Sequence, residues 1–260
     1  MSDVAMAAVQ AYLKELRLPA FARLLPETLR EAESQGRPFL DVLRVLLEGE
    51  LAQRQINQGR RRIREARFPY AKDLAEFDFT ANPTIKKSQI LSLARGEYLA
   101  KRQNVIFLGN SGTGKTHLAI ALGREARQQG HRVRFYTAAG LVNELLTAQA
   151  ELALGKLEKR WLQYHLAIID ELGYIPLSKQ GAELLFPFLS LRYERGSLLI
   201  TTNLDFDRWT EVFGDAQLTT ALLDRLTHRA VIIVTHGESC RFRESMWATE
   251  AEATANLAAE

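Results

Sequence analysis

Apolar positions in the first 66 residues recur at helical spacing. Segments 4–17 and 20–35 carry it, with interruptions expected at Pro19 and Pro26, and 39–66 extends it into a longer helix opening at FLDVLRVLLEGEL. The stretch RFPYAKDLAEFDFTANPT, with Pro69 and Pro83, loses that period and is expected to be an extended connector. Beyond it come short apolar runs alternating with helical segments: NVIFL (104–108), RVRFY (132–136), LAIID (166–170), SLLITT (197–202) and AVIIV (230–234). Runs apolar on both sides suit a parallel sheet covered on both faces, and the segments between them are long enough for crossovers. The expected class is α/β, a doubly wound parallel sheet preceded by a small all-helical N-terminal domain. The expected boundaries are 1–70, 71–247 and an Ala/Glu-rich tail, 248–260, that frays.

Composition narrows the picture. With 260 residues, 47% of them hydrophobic, the chain can bury a substantial core. No run reaches the roughly 18 apolar residues of a membrane helix, and MSDVAMAAVQAYLKEL lacks the pattern of a signal peptide, so a cytoplasmic protein with no membrane partner is expected. A single cysteine, Cys240, cannot form an internal disulfide, and His117, His131, His165, His228 and His236 show no metal-ligand spacing.

The stretch GNSGTGKT, 109–116, satisfies G-x-x-x-x-G-K-[ST] between a predicted strand and a predicted helix. Gly109, Gly112 and Gly114 let successive backbone N–H groups point inward, and the helix N-terminus adds partial positive charge. Lys115 can reach the β- and γ-phosphates of ATP, while the Thr116 hydroxyl suits Mg²⁺. The run LAIIDELGY then brings two carboxylates to the sheet edge where that loop lies. Asp170 is expected to hold Mg²⁺ through water, and Glu171 to take a proton from, or orient, the water attacking the γ-phosphate. Alone, Asp-Glu at a strand end reads as a solvated pair; beside the loop it tilts the chemistry toward hydrolysis. In LLITTNLDF, Asn203 either hydrogen-bonds the attacking water or γ-phosphate, or simply forms a turn. Arg225 and Arg229, in ALLDRLTHRAVIIV, read locally as surface ion-pair residues.

Together GNSGTGKTHLA, LAIIDELGYIPLS, GAELLFPFLSLRYERGSLLITTNLDFDRWTEVFGD and ALLDRLTHRAVII resemble the IstB family. These are AAA+ ATPases that help insertion sequences transpose, related to the DnaC and DnaI helicase loaders. The likeness covers most of the chain. It implies an ATP-dependent homo-oligomer on double-stranded DNA, with ATP at subunit interfaces, that recruits and activates a transposase. It makes Gly109, Asn110, Ser111, Gly112, Thr113, Gly114, Lys115, Thr116 and the adjoining His117 the nucleotide site, Thr116 and Asp170 the Mg²⁺ residues, Glu171 catalytic and Asn203 a sensor. It further makes Arg225, or alternatively Arg229, a finger acting in a neighbouring subunit. Asp170, Glu171, Asn203 and Arg225 are expected around one edge, as half of a site that another subunit completes. The tail departs from the family in GESCRFRE, where Cys240 stands in place of an expected aromatic, and too little chain follows Val234 for a separate helical lid.

Charge is unevenly distributed. Residues 1–50 hold six basic and eight acidic side chains, whereas 54–72 hold seven basic and one acidic. Arg60, Arg64 and Arg67, with Arg61 and Arg62 beside them, are expected to line a helix face. Their mutual repulsion is relieved either by solvent or by a phosphate backbone. Phe68 and Tyr70 form no run of interleaved aromatics, which favours duplex over single strand. Two other functions compete: a helicase loader acting on single-stranded DNA, and a P-loop kinase of small molecules indifferent to DNA.

Overall fold

The computed structural model describes residues 3–235, apart from the side chains at 3, 55, 58 and 60–64; Cys240 and the tail lie outside the described residues. Two compact units divide the chain, Met1–Arg62 and Ile63–Glu260.

The first unit holds helices α1 (Asp3–Glu15), α2 (Pro19–Gln35) and the greater part of α3 (Phe39–Ala66). Leu13, Phe21, Leu25, Ala32, Val42 and Leu46 form its core. Pro26 does not interrupt α2, which runs through it. A proline deprives the carbonyl four residues earlier of its amide partner, and here the Gln10 side chain donates to Ala22 O at 3.3 Å instead. Pro19 suits the first helical turn, where its missing N–H costs nothing. The next amides, Ala20 N and Phe21 N, donate to Glu50 Oε2 on α3 at 2.8 and 3.1 Å, so a carboxylate distant in sequence caps α2. Arg54 Nε donates to Glu50 Oε1 at 2.9 Å, and Arg54 Nη2 to Arg17 O. Burial pushes the Glu50 carboxyl up, but the two amides and Arg54 outweigh it and hold the carboxyl below its ordinary value.

The backbone over 60–66 is helical, as the periodicity predicts. Arg67 is not part of that helix: its φ of 56° breaks the turn ahead of Phe68-Pro69, where helical geometry is disfavoured. It therefore drops out of the expected helical stripe, while the side chains of Arg60, Arg61, Arg62 and Arg64 lie outside the described residues.

In the second unit, α4 (Lys87–Ala94) and α5 (Glu97–Ala100) precede the sheet, and the hydrophobic pattern predicts neither. Then follow β1 (Asn104–Gly109), α6 (Lys115–Gln128), β2 (Val133–Thr137), α7 (Ala138–Ala150), α8 (Leu154–Trp161), β3 (Leu166–Leu172), α9 (Lys179–Ser190), β4 (Ser197–Thr202), α10 (Thr210–Phe213), α11 (Ala216–Thr227) and β5 (Ala230–Thr235). All strand pairs are parallel, in the order β2-β3-β4-β1-β5. Side chains alternate across the sheet: Ile106, Ala167, Ile169 and Ile200 pack on one face with Leu141, Leu185 and Leu222 of α7, α9 and α11. Val105, Phe107, Ile168 and Leu199 pack on the other with Ile90 and Leu118 of α4 and α6. This is the doubly wound sheet that the apolar runs predict. The expected extended connector instead lies on that second core, through Phe68, Leu74, Phe77 and Phe79. Among the described residues, no helix is long and apolar enough to cross a membrane.

Because the folded Glu50 carboxyl titrates below its unfolded value, its stabilisation is complete above the unfolded pKa and disappears as pH falls through the folded one. Glu50→Ala is expected to cost the N-terminal unit about 1–3 kcal/mol at neutral pH. The cost should shrink on acidification. Hydrogen exchange of the α2 amides in the full chain, at pH 7 and pH 4, measures both; equal protection in variant and parent at pH 7 would remove the capping role.

Candidate nucleotide-binding site

The loop joining β1 to α6 opens because its backbone adopts conformations that side chains resist. Gly109, Gly112 and Gly114 have φ of 147°, 79° and 89°. A Cβ on Gly109 would meet Thr235 O at 2.0 Å, and one on Gly114 would meet the Phe77 ring at 2.6 Å. Inside the loop, Lys115 Nζ donates to Gly109 O and Asn110 O at 2.6 and 2.5 Å. The amine is thus held at the loop mouth by carbonyls that a phosphate oxygen can replace.

A cleft of about 450 Å³ lies over this loop, lined by Ser111, Gly112, Gly114, Lys115, Thr116 and His117, by Glu171 in β3 and Tyr174 beyond it, and by Thr201 and Thr202 of β4 with Asn203 just past it. Tyr70 and Lys72 close one side. Gly109, Asn110 and Thr113 are not on its wall. The Thr113 hydroxyl faces inward, donating to Asn110 O and sharing a hydrogen bond with the Thr235 hydroxyl, 2.8 Å away. Asp170, only 3% exposed, stands behind the wall. Its carboxylate accepts from Thr116 Oγ1 at 2.9 and 3.1 Å and from Thr201 Oγ1 at 2.6 Å.

Glu171 differs from its neighbour. Along β3 and β4, Ile169 pairs with Ile200 and Leu172 with Thr202, so one extra residue is accommodated on β3. Such a bulge leaves an amide without its ladder partner and re-aims a side chain. Glu171 N donates to Thr201 Oγ1 at 3.0 Å, Glu171 takes a φ of 61°, and its exposed side chain reaches the cleft.

The segment before α4 braces the loop from outside. Asp73 accepts from Arg124 Nε at 2.8 Å, its carbonyl lies 3.0 Å from His117 Nε2, and Asn82 Nδ2 donates to Thr113 O at 3.2 Å. The Phe77 ring packs edge-on against His117, with centroids 5.2 Å apart. The periodic pattern carries no signal for Tyr70, Lys72, Asp73 or Asn82 as site residues. Thr201 had one: a hydroxyl at the end of an otherwise aliphatic run, two positions before Asn203.

Arg225 is not at this edge. Asn104 opens β1, pairs with Ala230, and donates through Nδ2 to Leu226 O at 2.9 Å. The end of α11 therefore lies at the edge where the strands begin, with the length of β1 between it and the loop. In a βαβ sheet the residues just before a strand occupy the edge opposite those that follow one. The exposed Arg225 guanidinium lies 5.8 Å from the Phe186 ring centroid, and Arg229 lies 4.0 Å from Glu194.

A glycine loop with a lysine at its mouth, joined through a threonine hydroxyl to a buried aspartate, fits a nucleotide phosphate chain. The oxygen pair Thr116 and Asp170 fits a small hard cation such as Mg²⁺. Among the described residues, no cluster of three or more His, Cys, Asp or Glu side chains suits a metal.

The sheet order, the loop after β1 and the acidic pair ending β3 define a P-loop ATPase of the AAA+ class. The solved structure of DnaI shares the fold, with a TM-score of 0.53 and 17% identity over 68% of this chain and 94% of that one. The chain belongs to the IstB-like ATP binding protein family, which it matches over residues 11–248. It is 37% identical to a protein of insertion sequence IS5376 from Geobacillus stearothermophilus, over 91% of this chain and 94% of that one. With a protein of insertion sequence IS232 from Bacillus thuringiensis subsp. berliner it shares 35%, over 89% and 93%. Both relatives are named for ATP binding. The expected family and fold are both borne out.

Removing the charge at the loop mouth tests the site. Lys115→Ala is expected to weaken ATP binding at least about ten-fold, the worth of one charge-assisted hydrogen bond. Titration with a fluorescent ATP analogue measures it, and unchanged affinity would detach the loop from nucleotide binding.

Proposed function

We propose that this chain is an ATP-dependent, DNA-binding regulator of transposition. It oligomerises on double-stranded target DNA, recruits and activates the transposase of its insertion sequence, and releases on ATP hydrolysis. One observation carries the ATPase part: the loop, Thr116 and Asp170 are joined at 2.9 Å while Glu171 projects alone into the same cleft. A carboxylate standing there suits activation of water for hydrolysis.

In this reading Lys115 exchanges the Gly109 and Asn110 carbonyls for phosphate oxygens. Thr116 and Asp170 would hold Mg²⁺, which when bound neutralises charge between the β- and γ-phosphates. Glu171 accepts a proton from the attacking water, and Asn203, which lines the same cleft just past β4, hydrogen-bonds that water or the γ-phosphate. Arg225 cannot serve its own cleft, since β1 separates them by roughly 20 Å at 3.3 Å per residue. Its role belongs to a neighbouring subunit's ATP, with Arg229 the alternative finger. That position supports ATP-dependent assembly, because an arginine then reaches the cleft only from a second copy.

The DNA contact is assigned to Arg60, Arg61, Arg62 and Arg64 on α3 and to Arg67 beyond its end. A basic stretch of this kind binds phosphates with little regard to sequence and strong dependence on salt. The family's home in insertion sequences supports the transposase as partner, and a cytoplasmic location follows from that partnership.

Glu171→Gln is expected to bind ATP normally, hydrolyse it at least about a hundred-fold more slowly, and persist on duplex DNA. Filter binding after an ATP chase, run with duplex and with single-stranded DNA, distinguishes this function from helicase loading. Wild-type turnover would remove Glu171 from catalysis, and preference for single strand would favour the loader. Neutralising Arg60, Arg61 and Arg64 together should weaken duplex binding and flatten its salt slope by about one unit per lost phosphate contact. An unaltered slope would return the stretch to a solvated face.

A further inference from the structure

We infer that Thr201 is a positioning residue for Glu171, acting through the bulge in β3, and that its single hydroxyl sets where the catalytic carboxylate stands. The inference rests on the ATPase reading above and adds to it a residue whose hydroxyl is engaged by Asp170 and the Glu171 amide.

The extra residue that β3 carries between Ile169 and Leu172 lies opposite Thr201. In an unbroken ladder, strict alternation would set Asp170 and Leu172 on one face and Glu171 on the other. Here Leu172 packs instead in the core of Ala167 and Ile169, and Glu171 leaves the ladder with a left-handed φ of 61°. For a glutamate that conformation is uphill by about 1–3 kcal/mol and persists only when the surroundings fix it. Thr201, 1% exposed, does so with both capacities of one hydroxyl. It donates its proton to Asp170 Oδ1 at 2.6 Å and accepts the Glu171 amide at 3.0 Å. The Asp170 carboxylate also accepts from Thr116, the first hydroxyl of the phosphate-loop helix. The order Thr116, Asp170, Thr201, Glu171 is therefore a continuous hydrogen-bonded path from the phosphate side of the cleft to the base. Thr116 suits a metal and Glu171 suits water; the Thr201 hydroxyl joins the two carboxylate residues.

A threonine here serves where an isosteric valine cannot. Valine fills the same buried space, yet leaves the Glu171 amide without the Thr201 acceptor and removes one of the hydroxyls that donate to Asp170. Displacing a catalytic group by about 1 Å costs up to about a hundred-fold in rate. Thr201→Val should therefore lower kcat for ATP hydrolysis by about ten- to a hundred-fold, while ATP affinity stays within about three-fold because the loop contacts are intact. Thr201→Ser, lacking the methyl but keeping the hydroxyl, should recover most of the loss.

The test measures kcat, KM and ATP affinity for the parent, Thr201→Ser, Thr201→Val and Thr201→Ala in the full chain with duplex DNA. It adds Glu171→Gln and the double variant Glu171→Gln with Thr201→Val. Support requires that kcat follow the hydroxyl and not the side-chain volume, and that the double variant be no slower than Glu171→Gln alone. Should Thr201→Val not fold, Thr201→Ala against Thr201→Ser makes the same comparison. Equal damage in the serine and valine variants would assign Thr201 to packing and overturn the inference, as would parental kcat in Thr201→Val when Glu171→Gln is slow. Parental kcat in Glu171→Gln is a different failure: it would overturn the assignment of Glu171 itself.

Discussion

One buried carboxylate holds the site together. Asp170 accepts hydroxyls from Thr116 at the start of α6 and from Thr201 near the end of β4, so three segments distant in sequence meet at two oxygens. Burying an ionised carboxylate is costly unless hydrogen bonds repay the lost hydration. The parallel sheet makes that repayment available. With β4 next to β3, and β1 next to β4, the C-terminal ends of three strands and the helix after β1 converge on one edge. At that edge the bulge in β3 separates the buried Asp170 from the exposed Glu171, which reaches the cleft.

Much of this is legible in the sequence because it is local. The five apolar runs are the five strands, and the glycine spacing of 109–116 is dictated by backbone angles that the structure displays. What escapes the sequence depends on contacts between distant residues. Pro26 reads as a break, yet α2 continues because Gln10, on another helix, satisfies the carbonyl that proline strands. The 67–84 stretch reads as a connector because its aromatic residues have no period, but Phe68, Leu74, Phe77 and Phe79 find the core individually. Arg225 reads as a neighbour of the acidic pair only while the strand ends are undistinguished. Register places it at the opposite edge.

That opposite placement has a physical consequence for how the site is divided. Side chains supplied by β1, β3 and β4 share a rigid sheet, so their mutual distances are fixed by backbone hydrogen bonds. An arginine at the far edge is held by the same sheet, but the length of β1 keeps it from that cleft. Geometry of this kind separates the residues gathered at one sheet edge, Thr116, Asp170, Glu171 and Thr201, from Arg225 at the other.

The glycine loop presents a related problem. Three residues without side chains, all at positive φ, have more freedom to lose on ordering than any others, and a ligand that ordered them would bind more weakly for it. This chain lowers that cost in advance. Thr235 lies against Gly109 and shares a hydrogen bond with Thr113, Asn82 takes the Thr113 carbonyl, and Phe77 fills the space beside Gly114. Lys115 closes the ring by binding two loop carbonyls from within. The braces come from three parts of the chain: the last described strand, the segment ahead of α4 and the loop itself. The loop therefore holds its shape through its surroundings, and the free energy of phosphate contact is left to exceed only the exchange of the lysine's partners.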